Sequence, residues 1–166
     1  MARVDPKQGL MASILDRLTD PTSAGTEGQR GYTLSQMMEA VRKDLEELLN
    51  TRQTLDDSAR ARERVRNSIV GYGLPDFTSV PVTTPQQRQE IASALEATVV
   101  RYEPRLRDVR VVPLDADATK QTLLRFRIEA RLTVEPGPEV AFDTVTEDTG
   151  QYSVTPSSLG ADPRRT

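Results

Sequence analysis

The first clear helical pattern in the chain lies between residues 33 and 50. Apolar residues recur there at spacings of three and four, which places them on one face of an α-helix. Thr33 and Gln36 have the spacing of a capping box, in which each side chain accepts a hydrogen bond from the other residue's backbone N–H. The pattern therefore predicts a core helix whose buried stripe consists of Leu34, Met37, Met38, Val41, Leu45, Leu48 and Leu49.

A second core helix is predicted to begin at Thr84. Thr84 and Gln87 form another capping box, and Pro85 occupies the first turn, where its missing N–H is not needed. Apolar residues again recur at helical spacing along the following four turns. The helix should end near Glu103, because Pro104 disfavours helical geometry in the residue before it.

A weaker helical pattern covers residues 59–70, between the two core helices. Ile69 and Val70 are among its apolar residues, and Gly71 suits the left-handed conformation that closes a helix. Residues 72–77 are predicted to form a structured loop, because glycine there permits unusual dihedral angles.

From residue 108 the period of the apolar positions changes from helical to two. Residues 122–134 alternate most clearly, as a strand does when only one face of its sheet is in water. Further strands are predicted around Val140 and around Tyr152, each after a turn signal. The predicted fold class is α+β, with N-terminal helices followed by an antiparallel β-meander of three to four strands packed on them.

These patterns divide the chain into three parts. Residues 1–31 are predicted to be a flexible N-terminal arm with a short docking helix at about 10–18, and residues 32–155 a single α+β domain. Residues 156–166 have the composition of a disordered tail. The arm's helix is too short to be stable alone, so we expect it to dock on a partner through Ile14, Leu15 and Leu18.

Composition restricts the chemistry that the chain can perform. It has no Cys and no His, which excludes disulfides, thiolate chemistry, Cys or His metal sites and an imidazole base. We therefore expect no cofactor. Its net charge is −3, from 22 basic and 25 acidic residues, so it offers no bulk positive field for nucleic acid or an anionic membrane. The arginines between 60 and 66 are interpreted as a solvated helix face, with an anionic partner surface as the alternative.

No apolar run approaches the roughly twenty residues of a membrane helix, and the N-terminus lacks a secretory pattern. The chain is therefore expected to be a cytoplasmic protein with no membrane insertion. What remains for chemistry is carboxylates, hydroxyls and arginine.

Five blocks of sequence, in order along the chain, resemble the TssE subunits of bacterial type VI secretion baseplates. TssE belongs to a wider family that includes the phage baseplate wedge protein, historically called a tail lysozyme. The blocks that carry the resemblance are residues 13–18, 41–52, 68–76, 103–106 and 124–130 with Phe142-Asp143-Thr144.

The resemblance implies a structural, non-catalytic subunit of a contractile injection machine. Such a subunit joins the baseplate wedge and initiates sheath polymerisation by strand pairing. The expected partners are other wedge subunits and the contractile sheath protein, with no nucleic acid and no small-molecule substrate. The expected location is a cytoplasmic baseplate near the inner membrane.

The resemblance, read with the pattern, also selects candidate site residues. Glu103, Pro104 and Arg105 are predicted to organise the fold and to contact the wedge. An open edge of the sheet is a natural place for an incoming strand. The residues predicted to take part in strand pairing with the sheath are Arg125, Arg127, Glu129, Arg131, Phe142, Asp143 and Tyr152.

One alternative function stays open at this point. Glu103 could act as the general acid of a peptidoglycan-cleaving, lysozyme-like glycosidase, with Asp108 or another carboxylate as its partner. The expected cytoplasmic location argues against it, because the cell wall lies elsewhere.

Overall fold

The computed structural model describes residues 33–55, 62–77, 84–114, 124–134, 137–146 and 150–157. The predicted arm, with its docking residues Ile14, Leu15 and Leu18, lies outside the described residues. The helices within the described ranges are α1 (Leu34–Asn50), α2 (Glu63–Arg66) and α3 (Pro85–Tyr102), with a 3-10 turn at Ile69–Gly71. The strands are β1 (Leu106–Pro113), β2 (Arg125–Leu132), β3 (Glu139–Thr146) and β4 (Tyr152–Ser157).

Both predicted core helices begin at their capping boxes. The N–H of Gln36 donates to the Thr33 hydroxyl at 3.3 Å, and the N–H of Thr33 donates to Oε1 of Gln36 at 2.9 Å. Thr84 and Gln87 repeat this exchange at 3.2 and 3.0 Å. The two predicted helix starts are therefore confirmed. The local sequence was sufficient to predict them, because these hydrogen bonds join residues only three positions apart and need no tertiary support.

The four strands form one antiparallel sheet in the order β1-β2-β3-β4. One face of the sheet packs against α1 and α3, so the predicted α+β class is confirmed. The core between the layers is closed by large side chains that are fully buried, among them Leu45, Leu95, Phe126, Ile128 and Phe142. β4 continues to Ser157, two residues beyond the predicted domain end at 155.

The helix predicted over 59–70 is wrong for the described part of that segment, which begins at residue 62. It holds only the four-residue α2 and the 3-10 turn, and Ile69 is 85% exposed. A continuous helix would need the carbonyl of Arg66 to accept from the N–H of Val70. That carbonyl instead accepts from the Tyr102 hydroxyl at 2.6 Å, a tertiary contact that the local pattern could not contain.

The loop after this turn is structured, as predicted. Leu74 is fully buried, and its N–H and C=O bond to Thr51 and Gln53 at 2.8 Å each. Gly73 has a φ of 102°, and a Cβ there would lie 2.3 Å from the Thr51 carbonyl oxygen. Only glycine fits this close approach, because both the dihedral angle and the space exclude a side chain.

Candidate functional site: the Glu103–Arg105 motif and the sheet edges

Glu103 lies at the end of α3, where the chain turns into β1. Its N–H bonds the Val99 carbonyl at 2.9 Å, and Pro104 then stops the helix. The Glu103 side chain is folded inward and the residue is only 4% exposed. Burial of a carboxylate requires compensating donors, and Arg105 provides them.

Arg105 holds Glu103 through both its backbone and its side chain. Its N–H and its Nε donate to Oε1 of Glu103 at 3.1 and 2.7 Å, while its Nη2 donates to Oε2. The same Nη2 lies 2.5 Å from Oδ2 of Asp44, which projects from α1. One guanidinium therefore ties the α3–β1 turn to a helix 61 residues earlier in the chain.

The charges of this cluster support each other. Burial by itself would lower the pKa of Arg105, but the hydrogen bonds and charges of Glu103 and Asp44 outweigh burial and raise the pKa above its ordinary value. The guanidinium is therefore always charged. Pro104, between the two ionic residues, is exposed, and its carbonyl accepts a 3.3 Å bond from the Thr133 hydroxyl.

A glycosidase acid must reach a sugar and be able to donate a proton to it. Glu103 is buried, and both of its oxygens accept hydrogen bonds from Arg105. This arrangement suits a carboxylate that holds a turn in place. The other candidate carboxylate, Asp108, is exposed in β1 with a φ of 53°.

The residues predicted for strand pairing all lie in the sheet, but on both of its faces. Phe142 and Tyr152 point into the core and are nearly or fully buried. The residues on the outer face are Arg125, Arg127, Glu129, Arg131 and Asp143. All the residues predicted for strand pairing therefore lie in one sheet, but they do not form a single surface.

Two ion pairs cross between β2 and β3 on the outer face. Arg127 donates from Nε and Nη2 to the two oxygens of Asp143 at 2.7 and 3.1 Å, and Arg131 pairs with Glu139. Burial alone would raise the pKa of Asp143, but hydrogen bonds from Arg127 and Ser157 lower it below its ordinary value of 3.8. These pairs fix the register of β2 against β3, because a shift of one strand along the other would take each arginine away from its carboxylate partner.

The outer edge of β4 is covered by α1. The N–H of Tyr152 donates to Oδ1 of Asn50 at 2.8 Å, and Nδ2 of Asn50 donates to the Tyr152 carbonyl at 2.9 Å. Nη1 of Arg42 reaches the Val154 carbonyl at 3.3 Å. Two positions further along, Pro156 has no N–H to offer, so side chains and a proline close most of this edge.

The outer edge of β1 is covered at one point. The N–H of Val111 donates to Oε2 of Glu96, on α3, at 3.0 Å. Pro113 lies two residues further on and lacks an N–H. The register of β1 shifts between Arg107 and Arg110, so a β-bulge bends the strand at its beginning.

Sequence reasoning missed Asp44, Asn50, Arg42 and Glu96 as functional residues. Asn50 is the last residue of the helical pattern predicted over 33–50, and nothing in the local pattern distinguishes the others from solvated helix positions. Their roles depend on contacts with residues 15 to 112 positions away. Only a known pairing of helices and strands would have revealed them.

Within the described ranges, no group of three or more Asp and Glu side chains is placed to hold a metal ion. No helix in that part of the chain is long and apolar enough to cross a membrane.

The family model described as "Baseplate wedge protein gp25" matches residues 35–137 of the chain. The matched segment covers more than half of the chain and contains α1 from its second residue, α2, α3, β1, β2 and the whole Glu103–Arg105 motif. The chain belongs to the baseplate wedge protein family. No curated protein and no solved structure matches it significantly.

Membership in the baseplate wedge family confirms the resemblance found in the sequence. It supports a structural role in a baseplate and assembly with other baseplate proteins. β3 and β4 lie beyond the matched residues, and they complete the sheet to which the matched β1 and β2 belong.

Proposed function

We propose that this chain is the TssE-type baseplate subunit of a type VI secretion machine, acting in the cytoplasm near the inner membrane. It joins the other wedge subunits and initiates polymerisation of the sheath by strand pairing, and it catalyses no reaction. The match to the baseplate wedge family over residues 35–137 is the observation that carries this proposal.

The buried ionic cluster supports the predicted role of the Glu103-Pro104-Arg105 motif. Because Arg105 is bonded to Glu103 and Asp44, the two charged residues organise the turn and leave Pro104 exposed at its tip. We propose that this exposed tip contacts the wedge. A rigid turn suits a wedge contact, since little conformational entropy is lost when it binds.

The sheet supports the proposed role in the sheath. The backbones of β2 and β3 are paired on both sides, so an added strand can meet only β1 or β4. The outer-face residues of β2 and β3 would then set the register of the sheet that receives the strand. In an open helical polymer, one surface of each subunit binds a different surface of the next subunit. A subunit that offers a sheet edge to an incoming strand is suited to start such a polymer.

A pull-down of the tagged chain from its own cells tests the proposed wedge contact. We compare the wild type with Pro104→Arg, which places a long charged side chain at the exposed tip and leaves the ionic cluster intact. Gln151→Arg, at an exposed position on another loop, is the matched control. Recovery of baseplate subunits with wild type and Gln151→Arg, and their loss with Pro104→Arg, is the expected result.

Peptidoglycan hydrolysis tests the absence of catalysis. The purified wild type should release no more reducing ends from peptidoglycan than buffer does. Release that is abolished in Glu103→Gln, with unfolding unchanged in that variant, would overturn the structural proposal in favour of a glycosidase.

A further inference from the structure

Two adjacent apolar side chains, Ile69 and Val70, lie at the surface in the 3-10 turn that follows α2. Ile69 is 85% exposed and Val70 is 54% exposed. In the part of the chain that the structure describes, the only other exposed large apolar side chain is Val100, on α3. A single exposed apolar residue is ordinary, but two neighbours on one tight turn form a continuous apolar tip.

The turn that carries this apolar tip is held in place from its other side. The Tyr102 hydroxyl donates to the Arg66 carbonyl at 2.6 Å, and Nε2 of Gln53 donates to the Gly71 carbonyl at 2.7 Å. A Cβ on Gly71 would lie 2.4 Å from the Arg66 carbonyl oxygen, so the backbone is closely packed there. Because the chain is fixed both before and after the tip, Ile69 and Val70 cannot turn inward without breaking these contacts.

A fixed apolar tip is well suited to binding a partner. Burial of apolar surface drives protein association, and a segment that is already rigid loses little conformational entropy when it binds. Both side chains of the tip are also β-branched, so their χ1 angles are restricted before binding. The apolar tip therefore has the properties of an anchor that fills a pocket on another protein.

Three arginines precede the tip and form a basic collar: Arg62, Arg64 and Arg66. Glu63 is the only acid among residues 62–66. Arg62 and Arg64 are exposed, and Nε of the half-buried Arg66 has no hydrogen-bond partner. Arg66 is three residues from Ile69, so their Cα atoms are at most about 11 Å apart. The basic collar thus favours carboxylates on whatever surface receives the tip.

We propose that the apolar tip inserts into an apolar pocket of another wedge subunit, and that carboxylates around this pocket pair with the basic collar. The inference rests on the baseplate function proposed above and assigns the chemistry of a second wedge contact, beside the one at Pro104. Charge complementarity selects an acidic partner surface. A symmetric contact between two copies of the chain is disfavoured, because it would bring two basic collars together.

Site-specific photo-cross-linking in the native cells tests this contact. A benzophenone amino acid replaces Asn67, which is exposed and lies two residues before Ile69, so that the apolar tip itself stays intact. The control position is Glu90, which is exposed on α3. Adducts are detected with antibodies against each of the other wedge subunits, against the sheath protein and against the chain itself.

We expect position 67 to form an adduct with another wedge subunit and position 90 to form none. Mass spectrometry should map the adduct to a surface with apolar residues flanked by Asp or Glu. The inference would be overturned by an adduct with a second copy or with the sheath protein, by the same adduct from both positions, or by no adduct from position 67 while the wild type still recovers wedge subunits. If the wild type recovers no wedge subunit, the proposed function fails, which is a separate result.

Replacement of the anchor tests the apolar part of the contact. Ile69→Ser should lower the recovery of the other wedge subunits about tenfold in a pull-down, because a hydroxyl would enter an apolar pocket. Val100→Ser, which changes an exposed valine outside the tip, is the matched control and should recover them like the wild type. Both side chains are exposed, so both variants should unfold in urea like the wild type. Equal recovery with the two variants would contradict the anchor.

Charge reversal tests the predicted carboxylates. Arg62→Glu/Arg64→Glu should also lower the recovery of wedge subunits about tenfold, because like charges would then face each other. Arg107→Glu/Arg110→Glu makes the same change in net charge at two exposed positions of β1 and is the matched control. If both double variants recovered the wedge subunits equally, the partner surface would not carry the predicted carboxylates.

Discussion

The guanidinium of Arg105 lies 2.5 Å from the carboxylate of Asp44, although 61 residues separate them in the chain. This contact joins α1 to the turn between α3 and β1, and the same guanidinium compensates the buried charge of Glu103. The charged residues of this motif, which is one of the five blocks that carry the family resemblance, therefore stabilise the interior of the subunit. Changes to its charged residues should act on stability first and on assembly as a consequence.

Replacing Arg105 by Ala should destabilise the protein by about 3–5 kcal/mol, because Glu103 would be left buried without its partner. Urea unfolding at pH 7 measures the change. The matched control is Arg131→Ala, which breaks the exposed pair with Glu139 and should have little effect. The double variant Glu103→Gln/Arg105→Met should recover much of the lost stability, since it leaves no fully buried charge without a partner. Asp44 also loses Arg105 in this variant, but its side chain is 28% exposed and can be solvated. Equal losses in the single and double variants would contradict this account.

Two glycines with left-handed backbone should respond differently to alanine. Gly150→Ala should cost about 1–2 kcal/mol, because its φ of 78° is unfavourable for a side chain, while among the described residues a Cβ there would meet only Nη2 of Arg52, at an ordinary contact distance of 4.0 Å. Gly73→Ala should cost clearly more, since a Cβ there also meets the Thr51 carbonyl at 2.3 Å. Urea unfolding of both variants measures the difference. If the two losses were equal, the close approach to Thr51 would not matter for stability.

The bond between Arg127 and Asp143 should make stability depend on pH in the acid range. The folded state lowers the pKa of Asp143, so this carboxylate stabilises the fold fully above its ordinary, unfolded pKa of 3.8. That contribution is lost as pH falls through the folded value. The free-energy difference between wild type and Asp143→Asn should thus be largest at pH 7 and shrink towards pH 2. Because the other carboxylates are common to both proteins, a difference independent of pH would contradict the prediction.

Removing the Asn50 side chain should open the edge of β4. Asn50→Ala loses both bonds to the backbone of Tyr152, and we expect it to cost about 1–3 kcal/mol in urea unfolding. The uncovered edge should also promote self-association that rises with concentration, which analytical ultracentrifugation detects. Glu47→Ala, at an exposed position of the same helix, is the control and should remain like the wild type. A stable, monomeric Asn50→Ala protein would show that α1 does not guard this edge.

The sequence predicted those parts of the fold that depend on neighbouring residues. The capping boxes at Thr33 and Thr84 involve contacts three residues apart, and both helix starts are confirmed. The alternation in residues 122–134 likewise identified β2, because one face of that strand is buried along its length. The α+β class followed from the order of these elements.

Prediction failed where a distant residue takes over a local hydrogen bond. The helix expected over 59–70 is interrupted because the Tyr102 hydroxyl binds the Arg66 carbonyl. In the candidate site, the pairing of Glu103 with Arg105 was predictable, since the two are neighbours, but the third partner, Asp44, was not.

By itself, the sequence determined the two core helices, the strands, the fold class and the resemblance to the baseplate wedge family. Only the tertiary structure decided which backbone edges stay open, because α1 and α3 reach β4 and β1 through side chains from far along the chain. Asn50 closes the edge of β4 from 102 residues away, and Glu96 occupies one N–H of β1. Periodicity reports which face of an element is buried, whereas the state of an edge depends on which element is packed beside it.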